Sequence, residues 1–122
     1  TFIQNIATMR RFEGLIVEYF SITAETKIVK KFSGNYDFAR KFCELANKTR
    51  KLYKEAKLRT PLTLGNLQNY AKMWREQKLS EDEIIEIASS LYPDEEQSLF
   101  KKLYEDSKTL DLGKLKAEAG EA

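Results

Sequence analysis

Two adjacent arginines near the start of the chain are the residues whose type and setting best suit chemistry. Arg10 and Arg11 end a short predicted helix, and Phe12 leads into an apolar run over residues 15–20 that has the composition of a β-strand. A guanidinium held rigidly where a helix meets a strand can reach across a subunit boundary and neutralise a phosphate, as an arginine finger does. The plainer interpretation is that both arginines are exposed and complement the dipole at the end of their helix.

The remaining composition limits the chemistry that the chain can complete alone. Its 122 residues include no histidine, which removes the commonest acid–base catalyst, and no glycine-rich phosphate-binding loop. We therefore expect neither a self-contained hydrolase nor a metal enzyme, and no residue is assigned to a metal. The acidic runs over 81–83 and 94–96 are interpreted as helix starts rather than metal sites. The single cysteine, Cys43, excludes an internal disulfide and is interpreted as a structural thiol in a reducing, cytoplasmic setting.

Charge is balanced over the whole chain but uneven along it. The net charge is +2, from 21 basic and 19 acidic residues, and does not by itself demand a nucleic-acid partner. Residues 40–59, however, carry eight basic side chains against two acidic ones. Lys48, Lys51 and Lys54 are the candidates there for contacts with nucleic-acid phosphates, and the alternative is an ordinary solvated helix face. No apolar run is long enough to cross a bilayer, so no membrane partner is expected.

The predicted strand has no pairing partner within this sequence. Residues 15–20 lack a hairpin mate, and everything after them has helical periodicity. Because a lone strand cannot satisfy its backbone hydrogen bonds, it must pair with a sheet supplied from elsewhere or with another copy of itself. Together with a first residue that is not methionine, this predicts that the chain is a fragment of a longer protein.

Helical periodicity and capping signals predict roughly five helices after Ser21. Openings are predicted at Thr23, Asn35, Thr60-Pro61, the Ser80–Glu83 capping box and Pro93, with a left-handed stop at Gly34. Residues 111–122 are small and charged, and we expect a flexible tail there. The predicted fold class is mainly α. The side chains predicted to face the core are Ile28, Val29, Phe32, Phe38, Phe42, Leu45, Ala46, Leu52, Tyr53, Ala56, Leu64, Leu67, Tyr70, Ala71, Trp74, Ile84, Ile85, Ile87, Ala88, Leu91, Leu99, Phe100, Leu103 and Tyr104.

The order of these elements resembles the C-terminal part of an AAA+ ATPase, and within that superfamily the MoxR-like group. Arg11-Phe12 and the apolar run that reaches Tyr19 are similar to the family's Arg-Phe step and the strand after it. Residues 21–32 are similar to the first helix of the family's lid domain. Residues 59–64 resemble the Thr-Pro approach to the lid helix that usually carries an arginine called sensor 2. The resemblance covers most of residues 5–106, and its weight lies in the order and separation of short motifs.

The resemblance implies a division of the chain. Residues 1–20 would be a helix and a strand left from a nucleotide-binding α/β core, residues 21–110 a helical lid, and residues 111–122 the tail. ATP and Mg would be bound by the missing N-terminal part of the parent protein, so this chain alone would bind no cofactor and be inactive. Arg11, with Arg10 as its neighbour, would complete the ATP site of an adjacent subunit in a homo-oligomeric ring. The ring would remodel a protein or nucleic-acid partner.

The sensor-2 position departs from the family pattern. Leu62 follows the proline, and Gly65-Asn66 occupies the later position where the family often has its arginine. The resemblance therefore implies a nucleotide-proximal region made of Arg59, Leu64 and Gly65, with Arg59 as the substitute charge supplied from the turn. The plainer interpretation of Gly65 is a weak point early in a helix that is tolerated for close packing.

Two further classes of function fit the sequence. A free-standing helical adaptor would bind DNA or RNA through the basic stretch over residues 40–59, with a steep salt dependence and no need for the strand over residues 15–20. A protein–protein scaffold would instead show a large exposed apolar patch.

Overall fold

The computed structural model describes residues 20–118, most of which are helical. Within that part the helices are α1 (Ile22–Ser33), α2 (Tyr36–Lys54), α3 (Leu64–Arg75), α4 (Glu81–Ser89), α5 (Asp94–Ser107) and α6 (Leu112–Glu118), and no strand occurs. The mainly α fold class is therefore confirmed for the described residues. The predicted first helix, Arg10, Arg11 and, apart from Phe20, the predicted strand all lie outside them.

Capping residues set the ends of the first two helices. The Ser21 hydroxyl caps α1, so this helix begins just ahead of the predicted opening at Thr23. Gly34 ends α1 with φ 74°, a left-handed conformation that glycine adopts without strain, as predicted. The Asn35 side chain caps α2 by accepting a hydrogen bond from the Phe38 N–H at 2.9 Å.

The predicted start of α3 at Thr60-Pro61 is wrong. The helix begins after Thr63, whose hydroxyl accepts a hydrogen bond from the Asn66 N–H at 3.2 Å, while the Asn66 side chain accepts one from the Thr63 N–H at 2.9 Å. Leu62, between the predicted and the observed start, is fully buried, and both its backbone N–H and its C=O are bound to side chains of α2. These tertiary hydrogen bonds prevent Leu62 from joining a helix that would start at the proline.

The inward stripe predicted for α2 runs too far toward its end. Tyr53 is 48% exposed, and Ala56 lies beyond the helix with φ 62°, so neither faces the core. The prediction for Ala56 fails because α2 ends at Lys54, and in the last turn Leu52, rather than Tyr53, packs against the core.

The starts of α4 and α5 are confirmed, but part of the predicted core of α4 is not. The Ser80–Glu83 capping box opens α4, and α5 begins directly after Pro93. Ile87 and Leu91 are 42% and 47% exposed, so the prediction that they face the core is wrong. Ile87 lies outside the buried stripe of α4, which consists of Ile84, Ile85, Ala88 and Ser89, and Leu91 follows the end of that helix.

The central helix of the bundle is α2. It packs against α1 and α3, against α5, and, near its own start, against α6. No contact joins α1 to α4 or α5 among the described residues, so α1 and the α4–α5 pair lie on separate sides. The Arg75 guanidinium at the end of α3 donates to the Lys31 carbonyl near the end of α1 at 3.3 Å. These two helices therefore run in parallel and finish side by side.

Aromatic side chains fill the centre of the core. The Phe38 and Phe42 rings stack with centroids 4.2 Å apart, and Trp74 lies 5.0 Å from Phe38. Tyr70 and Tyr104 lie 6.3 Å and 6.2 Å from Phe42. These aromatic side chains therefore serve packing rather than base stacking.

The segment predicted to be a flexible tail begins with a helix, since α6 occupies Leu112–Glu118. The Lys116 ammonium lies 5.8 Å from the centroid of the Tyr36 ring at the start of α2. The Tyr36 hydroxyl is buried and has no hydrogen-bond partner within residues 20–118. None of the helices in that range combines the length and apolar composition needed to cross a bilayer.

Candidate functional site

A buried ion pair joins the first turn of α1 to α2. The Arg50 guanidinium donates to both carboxylate oxygens of Glu25, at 2.8 Å and 2.9 Å, and the two side chains are only 5% and 1% exposed. The bidentate geometry is the strongest form of a charged hydrogen bond. The Arg50 Nε–H donates to the Leu62 carbonyl at 2.9 Å. One side chain of α2 therefore holds the start of α1 and the approach to α3 together.

Thr49 supplies the second attachment of that approach. Its hydroxyl accepts a hydrogen bond from the Leu62 N–H at 3.0 Å and donates one to the Ala46 carbonyl at 2.7 Å. Both backbone groups of Leu62 are thus satisfied by neighbouring residues of α2, in a fully buried setting. A buried hydrogen bond of this kind is expensive to leave unmade, so the position of the α2–α3 loop is fixed.

Cys43 lies in the same buried region. Burial raises the pKa of its thiol from 9.0 to about 12, with the Glu25 carboxylate adding to the rise, while a hydrogen bond with Thr26 opposes it. A thiol that stays protonated and enclosed is inert, which is consistent with a structural role.

This arrangement places two helix starts at one end of the bundle. Because Arg50 contacts both Glu25 in the first turn of α1 and Leu62 directly before α3, the two N-termini lie close together. The Arg75 contact at the opposite ends agrees with that direction. The chain that precedes Ser21 therefore enters the described structure at the same end as the start of α3.

The first turn of α3 differs from those of the other long helices. Helices α1, α2, α4 and α5 each carry at least one acidic residue in the first turn, whereas α3 carries none. The backbone N–H groups of Leu64 and Gly65 have no hydrogen-bond acceptor among the described residues. Gly65 is exposed, and a Cβ built there would meet only the Thr63 hydroxyl, at 3.7 Å. The first turn of α3 therefore combines N–H groups that lack acceptors, an exposed backbone at Gly65 and the positive end of the helix dipole. These features together favour the binding of an anion.

Arg59 lies five residues before α3 and is exposed. Its backbone N–H donates to the Glu96 carboxylate at 2.8 Å, and its guanidinium has no ion pair within residues 20–118. The loop is held again one residue later, where the Tyr92 hydroxyl donates to the Thr60 carbonyl at 2.8 Å. Arg59 is therefore an exposed cationic side chain on a backbone held by hydrogen bonds, in the loop that precedes the open N–H groups of α3.

The structure divides the basic stretch over residues 40–59 into two groups. Half of its basic side chains form ion pairs: Arg40 with Glu44, Lys41 with Glu81, Arg50 with Glu25, and Lys57 with Glu55. The other half comprises Lys48, Lys51, Lys54 and Arg59. We call Lys48, Lys51 and Lys54 the basic face, because their spacing of three places them along one side of α2. Lys51 and Lys54 are exposed, and Lys48 is half-buried.

Two of the three predicted groups of site residues therefore fall within the described part. Arg59 lies on the loop before α3, Leu64 and Gly65 lie in the first turn of that helix, and the basic face lies on α2. Arg10 and Arg11 lie outside the described residues. No cluster of three or more potential metal ligands occurs between residues 20 and 118.

Sequence reasoning missed the residues that position this site. Glu25 lies just after the predicted helix opening at Thr23, and Arg50 is one of the eight basic residues over 40–59, so neither is predicted to be buried. The signal was present in the helical spacing, because Glu25 precedes Val29 by four residues and Arg50 follows Ala46 by four, and both of these apolar residues are fully buried.

The chain was compared with known proteins at three levels, by family, by sequence and by structure. No family model, curated protein or solved structure matches it.

Proposed function

We propose that this chain is the helical lid, with the trailing edge of the nucleotide-binding core, of a cytoplasmic AAA+ ATPase. The observation that carries the proposal is the shared end of α1 and α3. The Arg50 side chain holds both helix starts together, so the chain before Ser21 enters beside the open first turn of α3. A nucleotide-binding core attached through that chain would face the α3 start.

The residues at that end suit the phosphates of a nucleotide. The N–H groups of Leu64 and Gly65 are open donors, α3 lacks a first-turn acid, and Arg59 lies on the adjoining loop. Backbone donors at a helix start and a nearby guanidinium are the usual means of binding phosphate. In this proposal Arg59 supplies the charge that the family's sensor-2 arginine supplies from within the helix.

Arg11 is assigned to a different nucleotide. As a finger it would neutralise charge on the phosphoryl group held by a neighbouring subunit of a homo-oligomeric ring, with Arg10 beside it. ATP with its Mg would be bound by the upstream part of the protein and would supply the energy of hydrolysis. Different contacts of the α3 start with ATP and ADP would favour different lid positions, which would drive the remodelling of a partner.

The test uses the longer encoded protein. The residues before Thr1 are expected to contain a Gly-x-x-x-x-Gly-Lys-Ser/Thr loop, without which the proposal fails. In that protein Arg11→Ala is expected to lower ATP turnover by a factor on the order of 10³ or more, with nucleotide affinity unchanged. Arg10→Ala is the matched control and should have the smaller effect. Loss of nucleotide binding in the Arg11 variant would contradict the assignment.

A second candidate function is the binding of DNA or RNA through the basic face. It is favoured by one observation, that no carboxylate pairs with Lys48, Lys51 or Lys54 in the described part of the chain. Binding to a short duplex should then weaken steeply with salt, with a logarithmic slope of about −0.9 for each phosphate neutralised. Lys51→Glu should reduce that slope, and Lys27→Glu on α1 is the control. A salt-independent or undetectable interaction would eliminate this candidate.

A further inference from the structure

The near-neutral net charge of the chain conceals a strong internal polarity. Residues 20–79, which include α1, α2 and α3, hold 14 basic and 5 acidic residues, a balance of +9. Residues 81–106, which include α4 and α5, hold 2 basic and 9 acidic residues, a balance of −7. Because α1 contacts neither α4 nor α5, the molecule has a basic side and an acidic side. Such a charge distribution steers the association of complementary surfaces.

The acidic side exposes apolar surface. Glu83, Glu86, Ile87 and Leu91 recur at the three- and four-residue spacing of one helix surface, and we call these four residues the acidic face. Ile87 on α4 and Leu91, two residues after the end of that helix, are exposed aliphatic side chains. The two glutamates are exposed as well, although Glu83 accepts a hydrogen bond from the Ser80 N–H and Glu86 pairs with Lys101. An apolar centre with a charged edge is the usual anatomy of a protein interface, and the sign of the edge calls for a cationic partner.

The basic face of α2 has the complementary character. Lys51 and Lys54 are exposed, and within residues 20–118 no ion pair involves Lys48, Lys51 or Lys54. The exposed ring of Tyr53 lies in the same turn of α2 and offers apolar surface. In the described structure α2 and α4 are joined by the Lys41–Glu81 ion pair, and neither of these residues belongs to either face. No ion pair among the described residues joins the two faces, so the acidic face of the same molecule does not neutralise the basic one. One chain therefore carries two surfaces of complementary charge, the acidic face and the basic face.

We propose that the chain associates head to tail with a second copy of itself, the basic face of one molecule docking on the acidic face of the next. The contact is heterologous, because two different surfaces meet, so it leaves one free face at each end and can repeat around a ring. It goes beyond the lid function proposed above, since it joins two lids directly and requires no nucleotide.

The first test measures the mass of the 122-residue chain by sedimentation equilibrium. At low ionic strength the mean mass is expected to rise with protein concentration. In about 0.5 M salt the association should weaken at least tenfold, because exposed charges are then screened within a few ångströms. A chain that stays monomeric up to about 1 mM at low salt would overturn the proposal.

The second test is a complementation between two double variants. Ile87→Ser with Leu91→Ser removes the apolar centre of the acidic face, and Lys51→Glu with Lys54→Glu reverses the basic face. Each variant alone should be monomeric, whereas their mixture should form a one-to-one heterodimer, because each retains the face that the other lacks. Lys27→Glu with Lys31→Glu makes the same charge change on α1 and should leave self-association intact. Circular dichroism confirms that every variant folds.

Other outcomes point elsewhere and would also overturn the proposal. If both variants still self-associate, the interface lies on another surface. If the mixture stays monomeric although the unaltered chain associates, the contact is not the one described. If the chain stays monomeric but its basic face binds a short oligonucleotide, the surface serves nucleic acid. The sedimentation measurements determine the mass of the protein in the absence of ATP. Their failure is therefore distinguishable from failure of the proposed lid function.

Discussion

At the scale of single residues, the Glu25 carboxylate and the Arg50 guanidinium are buried against each other. Glu25→Gln keeps the shape of the side chain but removes the negative charge of the buried pair. We expect a loss of about 3 kcal/mol in the free energy of unfolding, measured by urea denaturation. The matched control is Glu55→Gln, which breaks the exposed pair with Lys57 and should cost less than about 0.5 kcal/mol. Equal losses of unfolding free energy in the two variants would show that the buried pair stabilises the fold no more than the exposed pair does.

Two tyrosine hydroxyls offer a second comparison at this scale. The Tyr36 hydroxyl is buried without a hydrogen-bond partner in the described part of the chain, whereas the Tyr92 hydroxyl donates to the Thr60 carbonyl at 2.8 Å. Tyr36→Phe should leave the free energy of unfolding unchanged or raise it, because an unsatisfied polar group is removed. Tyr92→Phe should lower it by about 1 kcal/mol, since the Thr60 carbonyl loses a donor. Thermal denaturation of both variants measures the two effects. A Tyr36→Phe variant that is less stable than the Tyr92→Phe variant would contradict the prediction.

At the scale of elements, the local signals of the sequence locate four of the long helices but not α3. Asn35 and the Ser80–Glu83 capping box act through residues three positions away, which a sequence pattern captures directly. Thr60-Pro61 has an equally good local pattern, yet the hydrogen bonds from Arg50 and to Thr49 hold the following residue outside the helix. Contacts between residues 12 and 13 positions apart override the signal, and no local rule predicts them.

At the candidate site, too, the sequence predicts local features but not the tertiary contacts that position them. The family resemblance predicts a nucleotide-proximal region made of Arg59, Leu64 and Gly65, and in the structure Arg59 lies on the loop before α3 while Leu64 and Gly65 lie in its first turn. What the sequence does not reveal is that this loop is held to the first turn of α1 through Glu25 and Arg50. Charged residues are usually exposed, so the sequence does not single out a glutamate and an arginine within apolar stripes as a buried pair.

The first turn of α3 gives a prediction in which stability and binding move in opposite directions. Gly65→Asp should raise the free energy of unfolding by about 0.5–1 kcal/mol, because it adds a negative charge at the positive end of a helix. The same charge should repel inorganic triphosphate, the probe whose contact with the chain is followed by NMR shifts of the Leu64 and Asn66 amides. Gly65→Ala is the control for size and should stabilise the helix without the added repulsion. Unchanged triphosphate shifts in the Asp variant would show that phosphate does not bind at the α3 start.

At the scale of the whole molecule, alkaline pH should weaken the fold. Burial raises the pKa of Cys43 from 9.0 to about 12 and that of Tyr70 from 10.0 to about 12. Because the unfolded chain releases these protons first, the stabilisation is fully present below pH 9 and is lost progressively as the pH rises toward 12.

Urea denaturation at pH 8 and pH 10 measures the effect. The free energy of unfolding should fall by an amount on the order of 1 kcal/mol between these values for Cys43 alone. Cys43→Ser should reduce the difference between the two pH values, whatever its effect on the stability at pH 8. A pH dependence that is the same in the variant and in the unaltered chain would exclude Cys43 as its source.

The attachment of Leu62 to α2 also bears on how the molecule transmits load. A pull on the chain ahead of Ser21 acts on the first turn of α1, and the Glu25–Arg50 pair passes it to the start of α3 without passing through the aromatic core. Motion of an upstream segment would thus reach the α3 start through this ion pair, in addition to the packing of α1 against α2 and α3.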